Sequence, residues 1–175
     1  MTALACLEPA SSVAAPAAFR DAMRRVASSV SLITARDAQG APHGMAASAV
    51  IPVSMEPPSM LVAVNRDSGL HPIVSATGRF CVNILADAHR PLLDAFSQSS
   101  RRAERFTTGP WHQDSSSLPR LESAPAAVSC VVEQSIDYAT HTLFIGRVTQ
   151  VHLAQGRREP LVWFGGGAVA IHPPA

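Results

Sequence analysis

The chain has 175 residues, 47% of them hydrophobic and 15% charged, and a formal net charge of +1. That length fits one domain with a sizeable core, and the near-neutral balance excludes the broad basic field that nucleic acid or an anionic membrane requires. All 14 basic residues are arginine, so there is no Walker-type phosphate lysine, no Schiff base and no lysine general base, which excludes P-loop hydrolysis and pyridoxal-phosphate chemistry.

The first eighteen residues are Ala-, Ser- and Pro-rich and contain no Arg, which a positive n-region or a transit peptide would need; they read as a disordered tail, 1–18. Phe19, Met23 and Val26 recur at helical spacing and predict a short helix over 19–27. Ser29 to Arg36 is β-rich, and Asp37 to Gly40 reads as a hairpin loop with Gly40 at positive φ. His43 onward predicts a long strand, broken by Pro52 and stopped at Glu56–Pro58. Ser59 to Asn65 reads as a buried strand. Gly69 to Gly78 predicts a short helix closed by its glycine, and Arg79 to Leu85 another strand. A helix over 87–98 takes Asp87 as its N-cap. Residues 99–117 read as a polar, mobile loop carrying Phe106 and Trp111. Next comes a strand with Val128, Cys130, Val132 and Ile136 on one side, and then two more beginning at His141 and Pro160. Six or seven strands with two or three short helices, and no regular crossovers, predict a mainly β fold, a small antiparallel barrel. The domain is expected over 19–167, with a tail over 168–175.

Cys6, Cys81 and Cys130 form no CxxC pair, which excludes a zinc ribbon or redox disulfide and suits a reducing cytoplasm. No apolar run approaches a membrane span. The apolar fraction predicts burial against another subunit. No GxSxG, HExxH or GxGxxG is present. His43, His89, His112, His152 and His172 read as surface or loop residues, and Trp111 and Trp163 as core or interface anchors. His71, before Pro72, reads as a helix-start residue close to Asn65–Ser68.

That last motif follows a run of small residues. Gly44, Ala46, Ala47, Ser48 and Ala49 let a backbone approach a flat ligand, and one strand later Asn65, Arg66 and Ser68 supply donors suited to a phosphate. Together they suit a flat heterocycle with a phosphate arm. On composition alone they suit a tightly packed barrel with a solvated turn better.

The segment HGMAASAVIPVSMEPPSMLVAVNRDSGLHPIVSATGRFCVNIL, followed by RF, W and THTLFIGRV, resembles the flavin reductase-like family. FRDAM at Phe19 and LVWF at Leu161 are especially similar to members serving aromatic hydroxylases and pyrimidine-ring monooxygenases. The resemblance covers about Phe19 to Gly167. It implies an antiparallel Greek-key split barrel that dimerises, with flavin near the dimer interface. It implies reduction of FMN or FAD by NADH or NADPH and diffusion of reduced flavin to a partner monooxygenase. By position, Val30 to Thr34 and Met45, Ala46, Ala47, Ser48, Ala49 and Val50 would line the ring and ribityl chain. Asn65, Arg66 and Ser68 would hold the phosphate, and Cys81, Val82 and Asn83 would pack along the flavin. Arg105 and Phe106 match a basic-Phe pair in the loop, and His141 a histidine near the nicotinamide. Three positions depart from the pattern: Ala46 where a Thr is common, Pro52 where Ser is frequent, and Ala168 where Tyr is usual, each of which could weaken flavin binding. A carrier or sensor binding flavin or haem without turnover is the alternative reading.

Overall fold

The computed structural model describes residues 15–112, 118–156 and 159–171. Three helices and twelve strands follow in the order α1 (Ala15–Met23), β1 (Ser28–Ser29), β2 (Ser31–Arg36), β3 (Pro42–Ala47), β4 (Val50–Met55), β5 (Pro58–Asn65), α2 (His71–Thr77), β6 (Arg79–Ile84), α3 (Arg90–Ser97), β7 (Trp111–His112), β8 (Arg120–Leu121), β9 (Ala126–Tyr138), β10 (His141–Leu153), β11 (Leu161–Phe164) and β12 (Gly167–Ala170). Seven strands form one antiparallel sheet in the order β3-β2-β6-β9-β10-β5-β4.

The order fixes the shape. β3 and β4 are the two outer edges of the sheet, yet only Ser48 and Ala49 separate them in the chain. A link that short holds their adjoining ends within about 11 Å, so the sheet curls on itself and leaves a seam between its edges. Alternation along β2 then feeds two cores. Ile33 joins Val62, Val64, Val74, Phe80, Val82 and Phe144 inside the barrel. Leu32 joins Leu85, Leu92, Phe96, Trp111 and Leu161 in a second cluster under α3 and β11. Gly44 and Gly146 are small because bulk would collide: a Cβ at Gly44 would lie 2.7 Å from Phe96 Cε1, and one at Gly146 2.7 Å from the Phe80 ring.

Several expectations need revision. The small-residue strand breaks at Ser48–Ala49 and not at Pro52, which lies inside β4 beside a register shift. α1 begins at Ala15, inside the expected tail, and Phe19, Met23 and Val26 stay exposed. Residues 1–14, which include Cys6, lie outside the described residues, as do 113–117 of the expected loop and His172. Asp87 opens a 3₁₀ turn (Asp87–His89) and pairs with Arg90 instead of capping α3. Residues 99–104 form a second 3₁₀ turn. The expected C-terminal tail contains β12.

Ile136 also changes sides. Val132 pairs with Gly146 while Gln134 pairs with Ile145, so Glu133 is an extra residue that shifts the pleat. Beyond it Ile136 faces outward, 48% exposed, while Val128 and Cys130 remain buried. Cys81 and Cys130 are buried free thiols that burial pushes up, to about 11 and about 12.

Candidate active site

The end of β5 carries the first part of the site. Asn65 Oδ1 accepts the Asp67 N–H at 2.8 Å, and Ser68 N–H bonds the Asn65 carbonyl, which folds residues 65–68 into a tight turn. His71 N–H then bonds Ser68 Oγ at 3.2 Å. With the Asn65 oxygen and a Ser68 lone pair already engaged, the Asn65 amide N–H groups and the Ser68 hydroxyl proton are the donors available to a ligand. Arg66 is exposed, and one guanidinium nitrogen donates to the Ala139 carbonyl at the β9–β10 turn. Its backbone N–H bonds the Thr140 carbonyl at 2.9 Å. Arg66 therefore stands braced, with further N–H groups to offer a phosphate.

β10 brings the second part. His141 lies directly opposite Asn65 in the β5–β10 ladder and opposite Tyr138 on β9. Directly paired residues share a face, so His141, Asn65 and Tyr138 lie in one row on the outer face of the sheet. Rows of Ala63, Leu143 and Ile136, and of Ile51, Leu61 and Ile145, continue it. His141 is half-buried, with Nδ1 2.9 Å from Thr140 Oγ1. Ala49 adjoins these rows, since its carbonyl accepts the Ala63 N–H. Ser48 and Ala49 are exposed at the seam. Among the described residues β3 pairs only with β2, which leaves its outer margin without a strand partner there.

The other expected residues sit elsewhere. Val30, Thr34, Cys81, Val82 and Asn83 are buried, four of them with 0% exposure. Asn83 donates to the Leu32 carbonyl and Thr34 Oγ1 and accepts the Leu121 N–H at 2.8 Å; Thr34 in turn donates to the Pro119 carbonyl. These side chains are enclosed by the chain itself. Met45, Ala47 and Val50 pack onto the barrel core, while Ala46 and Ala168 pack onto the cluster under α3. The Ala46 methyl thus replaces a hydroxyl at a packed position.

Arg105 is likewise a staple. It is buried and donates to the carbonyls of Ala95, Gly44 and Gln98, tying the 99–107 segment to α3 and β3. Burial, and then the Arg102 charge, hold its guanidinium below the usual arginine range. Phe106 packs with Phe96 and Trp111, ring centroids 4.9–5.5 Å apart. Trp111 is core and Trp163 is exposed. Among the histidines read as surface or loop, His89 is buried, its Nδ1 accepting the Ala86 N–H and its Nε2 3.0 Å from Ser123 Oγ.

Two features went unread in the sequence. Arg102 lies against Gly69 and lines a small crevice with Pro42, His43, Gly44 and Phe106, which puts a second cation beside the 65–68 turn. Nothing in SSRRAERF distinguishes Arg102 from a solvated arginine. The other feature is a polar chain joining His71, Thr142 and Asp137. Among the described residues there is no group of three metal-ligating side chains, and no helix is long and apolar enough to cross a membrane.

An antiparallel split barrel with an open seam, a small-residue rim and a turn rich in anion donors defines the class. Comparison with known proteins gives the family. Residues 23–172 match the family model described as a flavin reductase like domain, and the chain belongs to that family. It is 37% identical over 147 residues to the FMN reductase (NADH) RutF of Stutzerimonas stutzeri (strain A1501), covering 84% of this chain and 83% of that protein. It is also 37% identical over 156 residues to the reductase component of the FADH(2)-dependent resorcinol hydroxylase of Rhizobium sp. (strain MTP-10005), covering 89% and 87% of the two chains. The NADH:FAD oxidoreductase of Streptomyces globisporus C-1027, solved with NAD and FAD fragments, superposes with a TM-score of 0.83 at 25% identity, over 91% of this chain and 94% of that one.

Proposed function

We propose that the chain is an NADH-dependent flavin reductase that passes reduced flavin to a separate monooxygenase. The observation that carries this reading is the pairing of His141 with Asn65, which places a donor-rich anion turn and an imidazole in one row at the seam. The relatives named as an NADH-dependent FMN reductase and as a hydroxylase reductase component support it.

The bound cofactors supply hydride transfer from nicotinamide to flavin, and the protein supplies binding and orientation. The residues at the seam fit that division of labour. Asn65, Arg66 and Ser68 hold the phosphate, and the unpaired margin of β3 with Ser48 and Ala49 offers backbone groups to the polar edge of a flat ring. His141 orients the nicotinamide, a contribution that is mainly entropic. Thr34, Cys81, Val82 and Asn83 act behind the seam by fixing β2 and β6.

The working unit is a homodimer. Ile51, Val53, Met55, Tyr138 and Leu153 are exposed by 51–80% on the outer face and far end of the sheet, more apolar surface than a solitary domain needs. A second copy on that face would also wall the seam. Light scattering is expected to give about twice the 18.4 kDa chain mass. The free thiols suit a cytoplasmic setting.

The test is NADH oxidation with FMN and FAD, each crossed with NADH and NADPH. Oxidation that requires added flavin, and favours NADH, is expected. Tight flavin binding with no nicotinamide oxidation in any of the four combinations would make the protein a carrier instead.

A further inference from the structure

One part-buried polar chain runs beneath the anion turn, and the donor and acceptor inventory of its members places its protons. Thr142 is 3% exposed, and its Oγ1 lies 2.6 Å from Asp137 Oδ1 and 2.8 Å from His71 Nε2. A carboxylate only accepts, and a hydroxyl has one proton to give. The Thr142 proton therefore goes to Asp137, and the Thr142 oxygen accepts from His71. Nε2 of His71 carries a hydrogen. The same residue's backbone N–H is shared between the Ser68 carbonyl at 3.1 Å and Ser68 Oγ at 3.2 Å. That occupies a Ser68 lone pair and leaves the Ser68 proton as the free end of the chain. The ring is further held against Phe144, centroids 5.7 Å apart.

We infer that Asp137, Thr142 and His71 form a positioning relay that fixes the Ser68 hydroxyl, and with it the 65–68 turn, for recognition of a ligand phosphate. The inference rests on the proposed reading of that turn as the phosphate site. The relay spans three elements. Asp137 lies on β9, Thr142 on β10, and His71 opens α2. The same β9–β10 hairpin end braces Arg66 through the Ala139 and Thr140 carbonyls. One hairpin thus sets both a cation and a hydroxyl at the turn, and it also carries His141. None of the three relay residues needs to touch the ligand.

The test uses the full chain and compares FMN with riboflavin, which lacks the phosphate, by quenching of flavin fluorescence. Thr142→Val keeps the shape and removes the hydroxyl. His71→Asn places its amide near the Nδ1 position and loses the bond to Thr142, whereas His71→Gln places it near Nε2 and keeps the bond. Thr142→Val and His71→Asn are expected to weaken FMN binding roughly tenfold, the scale of one lost hydrogen-bonded contact to a charged group, and to change riboflavin binding less than about twofold. Thr142→Ser and His71→Gln are expected to restore the FMN preference. Nitrogen NMR of the free protein is expected to find His71 protonated at Nε2.

If Arg66→Ala weakens FMN selectively while Thr142→Val and His71→Asn do not, the relay is overturned and the phosphate site stands. If none of these variants alters the preference for FMN over riboflavin, the phosphate reading fails and the relay with it. Equal weakening of both flavins, or a neutral His71 protonated at Nδ1, also overturns the relay. Should Thr142→Val fail to fold, the His71→Asn and His71→Gln pair decides.

Discussion

Asn83 and Asn65 carry the same amide near the ends of β6 and β5, two strands of one sheet, and the protein uses them in opposite ways. Asn83 is fully enclosed, and both ends of its amide are engaged by Leu32, Thr34 and Leu121. Asn65 is half-buried, and its oxygen is held by the Asp67 N–H while its nitrogen faces outward. A polar side chain whose hydrogen bonds are completed inside the chain supports a site; one with donors left over presents it. The whole molecule divides along this line. Thr34, Cys81 and Arg105 belong with Asn83, and Arg66, Ser68 and His141 belong with Asn65.

Substitutions can break that division. Asn83→Leu leaves the Leu121 N–H buried without its acceptor and removes the side-chain bonds to the Leu32 carbonyl and Thr34 Oγ1. It is expected to lower unfolding free energy by about 3–5 kcal/mol in urea titration, whereas Asn65→Leu should cost less than about 1 kcal/mol in the same measurement. Similar losses at both positions would erase the distinction. Arg66→Ala is expected to weaken FMN binding by about 1.5–3 kcal/mol and leave riboflavin binding and the melting temperature alone. Unchanged FMN affinity would remove Arg66 from the presenting group. His141→Ala is expected to lower kcat/KM for NADH by about 1–2 kcal/mol while flavin Kd stays constant. A lowered melting temperature with normal stopped-flow flavin reduction would move His141 to the supporting side.

The fold was largely legible because strands announce themselves by period and turns by residue type. Gly40 takes the positive φ of 81° that its loop predicts, and Gly78 closes α2 as expected. Twelve strands form where six or seven were expected, the extra ones mostly short, and the expected strand at Leu161 pairs in a separate three-stranded sheet. The face of Ile136 was not legible, since nothing in VVEQSI marks Glu133 as the extra residue of a bulge. The local geometry was legible where it consists of local chemistry, as in the tight turn over Asn65–Ser68. It was illegible where a residue's role depends on what covers it. Nothing in the sequence shows that the Asn83 side chain bonds the Leu121 N–H or that Arg105 bonds the Ala95 carbonyl on α3. The partnership of His71 with Thr142 joins positions 71 residues apart, and only the folded sheet brings them together.

Pro52 lies on β4, an outer edge of the sheet, beside the register shift between Pro52 and Ser54. An exposed edge is a template on which a stray strand from another molecule can add. A barrel with an open seam runs that risk continuously. Proline has no N–H to lend to an incoming strand, and the irregular pleat beside it spoils the register a newcomer would need. The residue that departs from the family pattern thus withholds a donor from aggregation. Pro52→Ser would return that donor and leave the protein more prone to assemble edge to edge in concentrated solution.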